Sequence, residues 1–286
     1  MKMHEARTYQ AQLTVAAARL KSVGLDRPGR EARHLMQHAC GLTATGLINC
    51  ETSPMESGDA ETFFDLIERR ASGEPYEYLT GEAWFCGLAF ACTADTLIPR
   101  ADSEVVVDEA LTRLPLGREA KIADLGTGTG CLLIALMKQQ PGLIGTGIDC
   151  SAKAAAVAQT NVQRHGIGDR ANILTFSWRD WTGWEDVDLI ISNPPYIRSE
   201  IIDTLDASVK DYEPHLALDG GASGLEAYDE IIAMASERMK PGAWIVLEIG
   251  FDQAAEVQSL LEEAGFETIS VAQDAGQRDR VVTARR

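Results

Sequence analysis

Lys121-Ile122-Ala123-Asp124-Leu125-Gly126-Thr127-Gly128-Thr129-Gly130 is the stretch on which the fold class turns. Its first half is an apolar run of strand length, its second half a glycine-rich turn, and an apolar helical segment over 131–137 follows at once. Strand, glycine turn and helix N-terminus in that order form the place where an open α/β sheet binds its ligand. Glycine at 126, 128 and 130 lets the backbone turn sharply and approach a ligand that a Cβ would exclude. The spacing is GxGxG, with Cys131 after it, and lacks the third-glycine placement of the dinucleotide fingerprint GxGxxG. An oxidoreductase reading fails on that difference and on the lack of any flavin or metal signature.

Strand-like runs continue outward from this turn, at residues 121–125, 143–149, 172–176, 187–192, 244–249, 266–271 and 280–283, and helical stretches separate them. Such alternation predicts a doubly wound, mostly parallel sheet. Helix ends carry their usual punctuation: Ser151 caps a run that stops at His165-Gly166, and Asp252 opens one that stops at Ala264-Gly265. Before the sheet, Ala32, Leu35, Met36 and Ala39 recur at helical period, as do Ala60, Phe63, Phe64 and Ile67. Asp26 and Pro28 open the first of these helices and Gly41 ends it, while Gly73 and Pro75 end the second. With an earlier helix over 6–21 they make a small N-terminal bundle without a catalytic motif, read as a docking or lid module. Residues 76–90 are aromatic and glycine-punctuated, which predicts a hairpin rather than a helix. The expected domains are therefore a helical docking domain at 1–75, a β-hairpin linker at 76–93 and an α/β domain at 94–286.

Composition narrows the partners. The 286 residues carry 26 Lys and Arg against 43 Asp and Glu, a formal charge of −17. That balance repels nucleic acid and anionic membrane, so no direct nucleic-acid substrate and no membrane association are expected. Residues 1–10 are charged rather than a leader-like apolar run, and nowhere are 18 successive residues apolar, so a cytoplasmic protein is expected. The six cysteines are scattered, without a CxxC pair or histidines at metal-ligand spacing; they read as reduced thiols, several of them buried, and no metal is expected.

Asp149 ends the second strand, 23 residues after Gly126, where one carboxylate can accept both protons of a ribose diol. Asn193-Pro194-Pro195-Tyr196 closes the fourth strand at the same sheet edge. A double proline there is structurally odd, because neither residue donates an N–H and the residue before each is held extended. A stiff corner that offers only acceptors, the Asn193 side-chain oxygen and the Pro194 carbonyl, suits a planar NH2 group with two donors to place. Tyr196 is expected to lie on that planar group and give a cationic centre an aromatic face.

The glycine turn and Asp149 together resemble the first motif and the acidic ribose loop of class I methyltransferases, which use S-adenosylmethionine. That class flanks the adenine just past the third strand, which implies Ser177 and Trp178; the indole offers a stacking face, and Trp181 and Trp184 are left to packing. The tetrapeptide type is shared by adenine-N6, cytosine-N4 and protein-glutamine-N5 methyltransferases. Its flanks choose among them: Thr96-Leu97-Ile98-Pro99-Arg100-Ala101-Asp102-Ser103-Glu104, Tyr212-Glu213-Pro214, residues 218–228, Leu247-Glu248-Ile249-Gly250 and Gly276-Gln277-Arg278-Asp279-Arg280-Val281 follow in order. From about Arg70 onward this is similar to the release-factor glutamine methyltransferase family. The resemblance implies a seven-stranded Rossmann-like domain with an N-terminal helical bundle that docks peptide-chain release factors. It also implies methylation of the glutamine in their Gly-Gly-Gln motif. Cofactor contacts would come from Gly126, Thr127, Gly128, Thr129, Gly130, Asp149, Trp178 and Asn193; catalysis and glutamine binding from Asn193, Pro194, Pro195 and Tyr196. Many relatives have Asp where this chain has Ser177, whose hydroxyl can still meet the adenine amino group. Arg100 and Glu104, one helical turn apart, are accounted for by a mutual ion pair and stay outside the catalytic set. The rival readings are a ribosomal-protein glutamine methyltransferase, which would use the same site, a nucleic-acid amino methyltransferase and a non-enzymatic binding module.

Overall fold

The computed structural model describes residues 8–114 and 119–286 in two compact units, 1–81 and 82–286. The first unit is helical: α1 (Tyr9–Ser22), α2 (Pro28–Cys40), α3 (Ala44–Cys50), α4 (Ser57–Ala71) and α5 (Tyr76–Thr80). The expected start of the first helix at Ala6 lies outside the described residues; within them, Thr8 caps α1 by accepting the Ala11 N–H at 3.3 Å. Pro28 fills the first turn of α2 and Gly41, at φ 62°, ends it, as the sequence predicts. Leu13, Ala16 and Leu20 of α1 are buried with Ala32, Leu35 and Met36 of α2 and Phe63, Leu66 and Ile67 of α4. The leucine, isoleucine, methionine and phenylalanine side chains among them each contribute roughly 1.5–3 kcal/mol on burial. The α3 helix went unpredicted; Thr43 caps it through the Gly46 N–H at 3.0 Å.

The hairpin is shorter than the expected 76–90. Residues 76–80 are the helix α5, closed by Gly81 at φ 69°, and only β1 (Glu82–Phe85) and β2 (Leu88–Ala91) pair. Pro75 stands just outside the helix, at φ −58° and ψ 142°, and the aromatic content of the segment obscured the helical turn that follows it. Cys86 and Gly87, at φ 47° and 72°, form the two-residue turn with both residues left-handed that matches hairpin twist. Phe85 and Phe90 are buried in the core of the second unit, while Trp84 stands 69% exposed.

That unit is α/β and carries all seven expected strands in one sheet. After α6 (Glu104–Arg113) come β3 (Ala120–Leu125), α7 (Cys131–Gln139), β4 (Leu143–Asp149), α8 (Ala152–Arg164), β5 (Ala171–Thr175) and β6 (Leu189–Ser192). Three short helices, α9 (Ser199–Ile202), α10 (Ala207–Lys210) and α11 (His215–Leu218), precede α12 (Glu226–Arg238), β7 (Trp244–Glu248), α13 (Ala254–Glu263), β8 (Glu267–Gln273) and β9 (Asp279–Arg285). Strand order is β5-β4-β3-β6-β7-β9-β8, with β3 to β7 parallel and β9 antiparallel to both neighbours. Alternation along β6 sends Leu189 and Ile191 to the core shared with α6 and α7, and Ile190 to the core shared with α12 and α13. The chain leaves β3 toward β4 and returns on its other side as β6, so the topological switch lies at the carboxyl end of β3. Among the six cysteines, all free, only Cys92 is buried and Cys150 is exposed, which corrects the expectation of several buried thiols. No helix among the described residues is long and apolar enough to cross a membrane.

Asn161 of α8 has no exposed surface and ties three pieces of this unit together. Its Nδ2 donates to the carbonyls of Ala91 (3.0 Å) and Thr129 (2.9 Å), and its Oδ1 accepts the Ala91 N–H at 2.7 Å. Asn161→Ala strands these buried groups, so the denaturation midpoint should fall by the equivalent of roughly 2–4 kcal/mol. An unchanged midpoint would show that water or relaxation replaces all three bonds.

Candidate functional site

Gly126, Gly128 and Gly130 sit at φ 71°, 55° and 78°, the left-handed region where L side chains are strained. The N–H groups of Gly126 (2.8 Å) and Thr127 (3.0 Å) both reach the Ile148 carbonyl, which fastens the turn to β4. Thr127 Oγ1 donates to Asp124 Oδ2 at 2.6 Å, and Gly130 closes the turn on the Thr127 carbonyl at 2.7 Å. A Cβ on Gly130 would come within 3.2 Å of Ile134 Cδ1 and 3.4 Å of Ala158 Cβ, because α7 and α8 converge there.

Asp149 ends β4 beside this turn. Oδ2 accepts the Gly128 N–H at 2.9 Å and Oδ1 the Ser151 N–H at 2.8 Å, so backbone fixes the carboxylate plane while both oxygens keep lone pairs to spare. Burial raises its pKa, and the two backbone bonds oppose that. β5 stops at Thr175, and Ser177 and Trp178 follow. Trp178 Cζ3 lies 3.7 Å from where a Gly126 Cβ would stand. Trp181 and Trp184 are buried against one another, ring centroids 5.5 Å apart.

At the end of β6, Asn193 Nδ2 donates to Ser103 Oγ at 3.4 Å. No donor among the described residues meets Asn193 Oδ1 or the Pro194 carbonyl. One cavity of about 460 Å³ takes in the glycine turn from Gly126 to Thr129, Asp149, Ser177, Trp178, Asn193 and Pro195. Gly130, Pro194 and Tyr196 are not in its wall. Pro194 is buried, and the Tyr196 ring rests against the α12–α13 core with its hydroxyl donated to Glu248 Oε1 at 3.2 Å.

Several wall residues come from segments whose role the sequence did not disclose. Arg100 does not pair with Glu104: its guanidinium meets the buried Glu213, 113 positions away, and Glu213 also accepts the Ile98 N–H at 3.4 Å. Glu104 instead accepts the Cys86 N–H at 2.7 Å. Helical spacing misled here because the 3-10 turn Ala101–Ser103 stands between the two residues. Residues 218–228 form the buttress of the Asn-Pro-Pro-Tyr corner. Ile197 N–H donates to the Leu218 carbonyl (3.0 Å) and Gly220 N–H to the Ile197 carbonyl (2.8 Å). A Cβ at Gly220 would stand 2.7 Å from Tyr196 Cα, and one at Gly224 2.6 Å from the Tyr196 carbonyl oxygen. Gln253 Nε2 bonds the Tyr196 and Gly224 carbonyls together. Beneath them Arg280 pairs with Asp274 (3.1 Å) and Asp102 (3.5 Å) and donates to the Ile249 carbonyl. Among the described residues no three His, Cys, Asp or Glu side chains are grouped to hold a metal ion.

Residues 12–81 match the model of the PrmC N-terminal domain and residues 103–223 that of the Methyltransferase small domain. A release factor glutamine methyltransferase of Caulobacter vibrioides is 38% identical over 94% of this chain and 93% of its own length. One of Geobacter sulfurreducens is 39% identical over 93% and 92%. The chain belongs to the release factor glutamine methyltransferase family. A solved methyltransferase from Pyrococcus furiosus, 14% identical, aligns with a TM-score of 0.51 over 70% of this chain and 89% of that one, and so shares the fold. The buttress, the Arg100–Glu213 pair and the Glu248–Tyr196 bond all lie next to the Asn-Pro-Pro-Tyr corner.

Two buried carboxyls around the site are strongly perturbed. Burial pushes Glu248 from its ordinary 4.5 up to about 7, opposed by the Ser103 hydroxyl, Arg280 and the Tyr196 hydroxyl. Burial likewise lifts Asp124 to about 7. A carboxyl that holds its proton more tightly when folded stabilises the fold most at low pH, and the contribution fades as pH rises from about 4.5 through 7. Glu248→Gln should therefore flatten that decline, gaining on the wild type above pH 7 by up to roughly 1.4 kcal/mol per unit of lost shift. Melting curves at pH 5 and pH 8 read it; equal differences between variant and wild type at both would refute the assignment.

Proposed function

We propose that this chain transfers a methyl group from S-adenosylmethionine to the side-chain amide nitrogen of a glutamine in a peptide-chain release factor, the glutamine of its Gly-Gly-Gln motif. The observation that carries the reading is the shared cavity: the donor-free corner opens, through Asn193 and Pro195, into the same space as the glycine turn and Asp149. Its volume, about 460 Å³, is that of a small-molecule site. Residues present fit the cofactor. Asp149 offers spare lone pairs to a ribose diol, the left-handed glycines leave the turn without side chains, and the Trp178 ring supplies a flat apolar face.

S-adenosylmethionine, when bound, supplies an electrophilic methyl group. The chain's own task is to make an amide nitrogen attack it. That nitrogen is a poor nucleophile because its lone pair is delocalised into the carbonyl, so orientation must provide much of the acceleration. Asn193 Oδ1 and the Pro194 carbonyl hold the two N–H groups, which turns the lone pair toward the methyl. Nδ2 of Asn193 is spent on Ser103, which leaves the side-chain oxygen as its free acceptor. Once methylated, the amide nitrogen would be positively charged and strongly acidic, and its proton could pass to water without a dedicated base. In this account Tyr196, tied to Glu248, and Pro195 stiffen the corner. The helical unit docks the release factor, and nucleic acid is not a substrate.

Labelled S-adenosylmethionine, a release factor and the same factor with the motif glutamine changed to alanine test the reading directly. Label should enter the first protein and not the second; label on DNA or on a ribosomal protein in place of the release factor would overturn it. Asn193→Ala should lower methyl transfer by at least about 100-fold even at saturating S-adenosylmethionine, the pattern of a lost orienting contact. Near-wild-type turnover in that variant would remove Asn193 from the chemistry.

A further inference from the structure

Trp178 is fixed at two points, and only one of them belongs to the core. The buried indole of Trp184 donates its N–H to the Trp178 carbonyl at 3.2 Å, which sets the backbone. The side chain is set by Glu230: Trp178 Nε1 donates to Glu230 Oε1 at 2.6 Å. Glu230 lies one helical turn after Glu226 on α12 and lines the same cavity as Trp178, Gly126 and Ala227. Its carboxylate is itself oriented from outside, by Arg179 through Nε and through Nη2 at 2.6 Å.

The two partners of Glu230 are unequal in kind. Arg179 is 69% exposed, and an ion pair to so wet a guanidinium contributes little to stability. The Glu230 side chain is 21% exposed, and the bond from the indole is short and charge-assisted. An indole has a single N–H, so one acceptor at fixed height leaves the ring little freedom to rock about its long axis. The ring plane then stands with one edge over Gly126, where a Cβ would touch Cζ3 at 3.7 Å. Ser177, the neighbour that the family resemblance would have as an acid, brings no charge to this end of the cavity, whereas Glu230 does.

We propose that Glu230 is a positioning residue for cofactor binding: by accepting the Trp178 N–H it holds the indole plane at the adenine end of the cavity. The proposal rests on the cofactor reading given above. It adds to that reading an acid 52 positions from Trp178 that neither the glycine turn nor the Asn-Pro-Pro-Tyr motif points to.

Calorimetric titration of the full-length protein with S-adenosylhomocysteine tests it through a double-mutant cycle. Glu230→Leu should weaken binding by about tenfold or more, and Glu230→Gln, which keeps an acceptor oxygen, by less than about threefold. Trp178→Phe removes the N–H, so adding Glu230→Leu to it should cost less than about a further twofold. Glu230→Ala runs the same cycle should the leucine variant fold poorly, as judged by circular dichroism. Equal penalties in the tryptophan and phenylalanine backgrounds, wild-type affinity in Glu230→Leu, or a loss in Glu230→Gln as large as in Glu230→Leu would each overturn the inference while leaving the cofactor reading intact. A wild-type protein that binds no S-adenosylhomocysteine would overturn both.

Discussion

The carbonyl of Ile148 receives the N–H groups of both Gly126 and Thr127, and the very next residue, Asp149, accepts the N–H of Gly128. Three successive amides of the glycine turn therefore end on two successive residues of β4. Because β3 and β4 are also in parallel register up to Leu125 and Ile148, the turn cannot shift without unpairing the sheet. The left-handed glycines are what makes this lacing possible, since the chain must reverse within bonding distance of a neighbouring strand. Everything on the cavity floor inherits its position from that contact: the Asp149 carboxylate plane, the start of α7, and the gap beneath Trp178.

The opposite wall is organised on a different principle. Register carries Ser192 of β6 level with Leu125 on one side and Leu247 on the other, and Ser192 Oγ donates to the Leu125 carbonyl at 2.7 Å. Past that point Pro194 and Pro195 have no N–H to offer a neighbouring strand. The corner is held instead by what accepts and surrounds it: Gln253 at the Tyr196 carbonyl, the Gly220 backbone against Tyr196 and Glu248 at the Tyr196 hydroxyl. These partners lie 24 to 57 positions further along the chain, and they place buried acids close to the site. Glu248 and Asp124 both sit near neutrality in consequence of burial.

Sequence reading reached the parts of this architecture governed by local period. The five parallel strands were legible because buried strands read as short apolar runs, β8 and β9 as further runs of strand length, and α2 and α4 because their apolar stripes agree with the residues that punctuate their ends. The placement of Asp149 at the end of a strand and of Trp178 just past the next was legible by position. Local rules failed where a short element or a distant partner decided the outcome. The five-residue helix after Pro75 was hidden under aromatic residues that favour strands, and α3 is too short for a periodic signal. Arg100 chose Glu213 over Glu104, and Trp178 is held by Glu230; nothing in a linear pattern announces a partner 113 or 52 positions away. The glycines at 220 and 224 were visible as letters, but the Tyr196 backbone they crowd became evident only in three dimensions.

A pair of prolines has no amide proton, and this bears on how motion in the corner can be followed. Amide-detected magnetic resonance and hydrogen exchange are blind at Pro194 and Pro195 themselves. The Gly220 amide, donated to the Ile197 carbonyl at 2.8 Å, and the Ile197 amide, donated to the Leu218 carbonyl at 3.0 Å, are the nearest reporters across the buttress. Opening of the corner would register there first, as faster exchange at two amides that belong to no long strand.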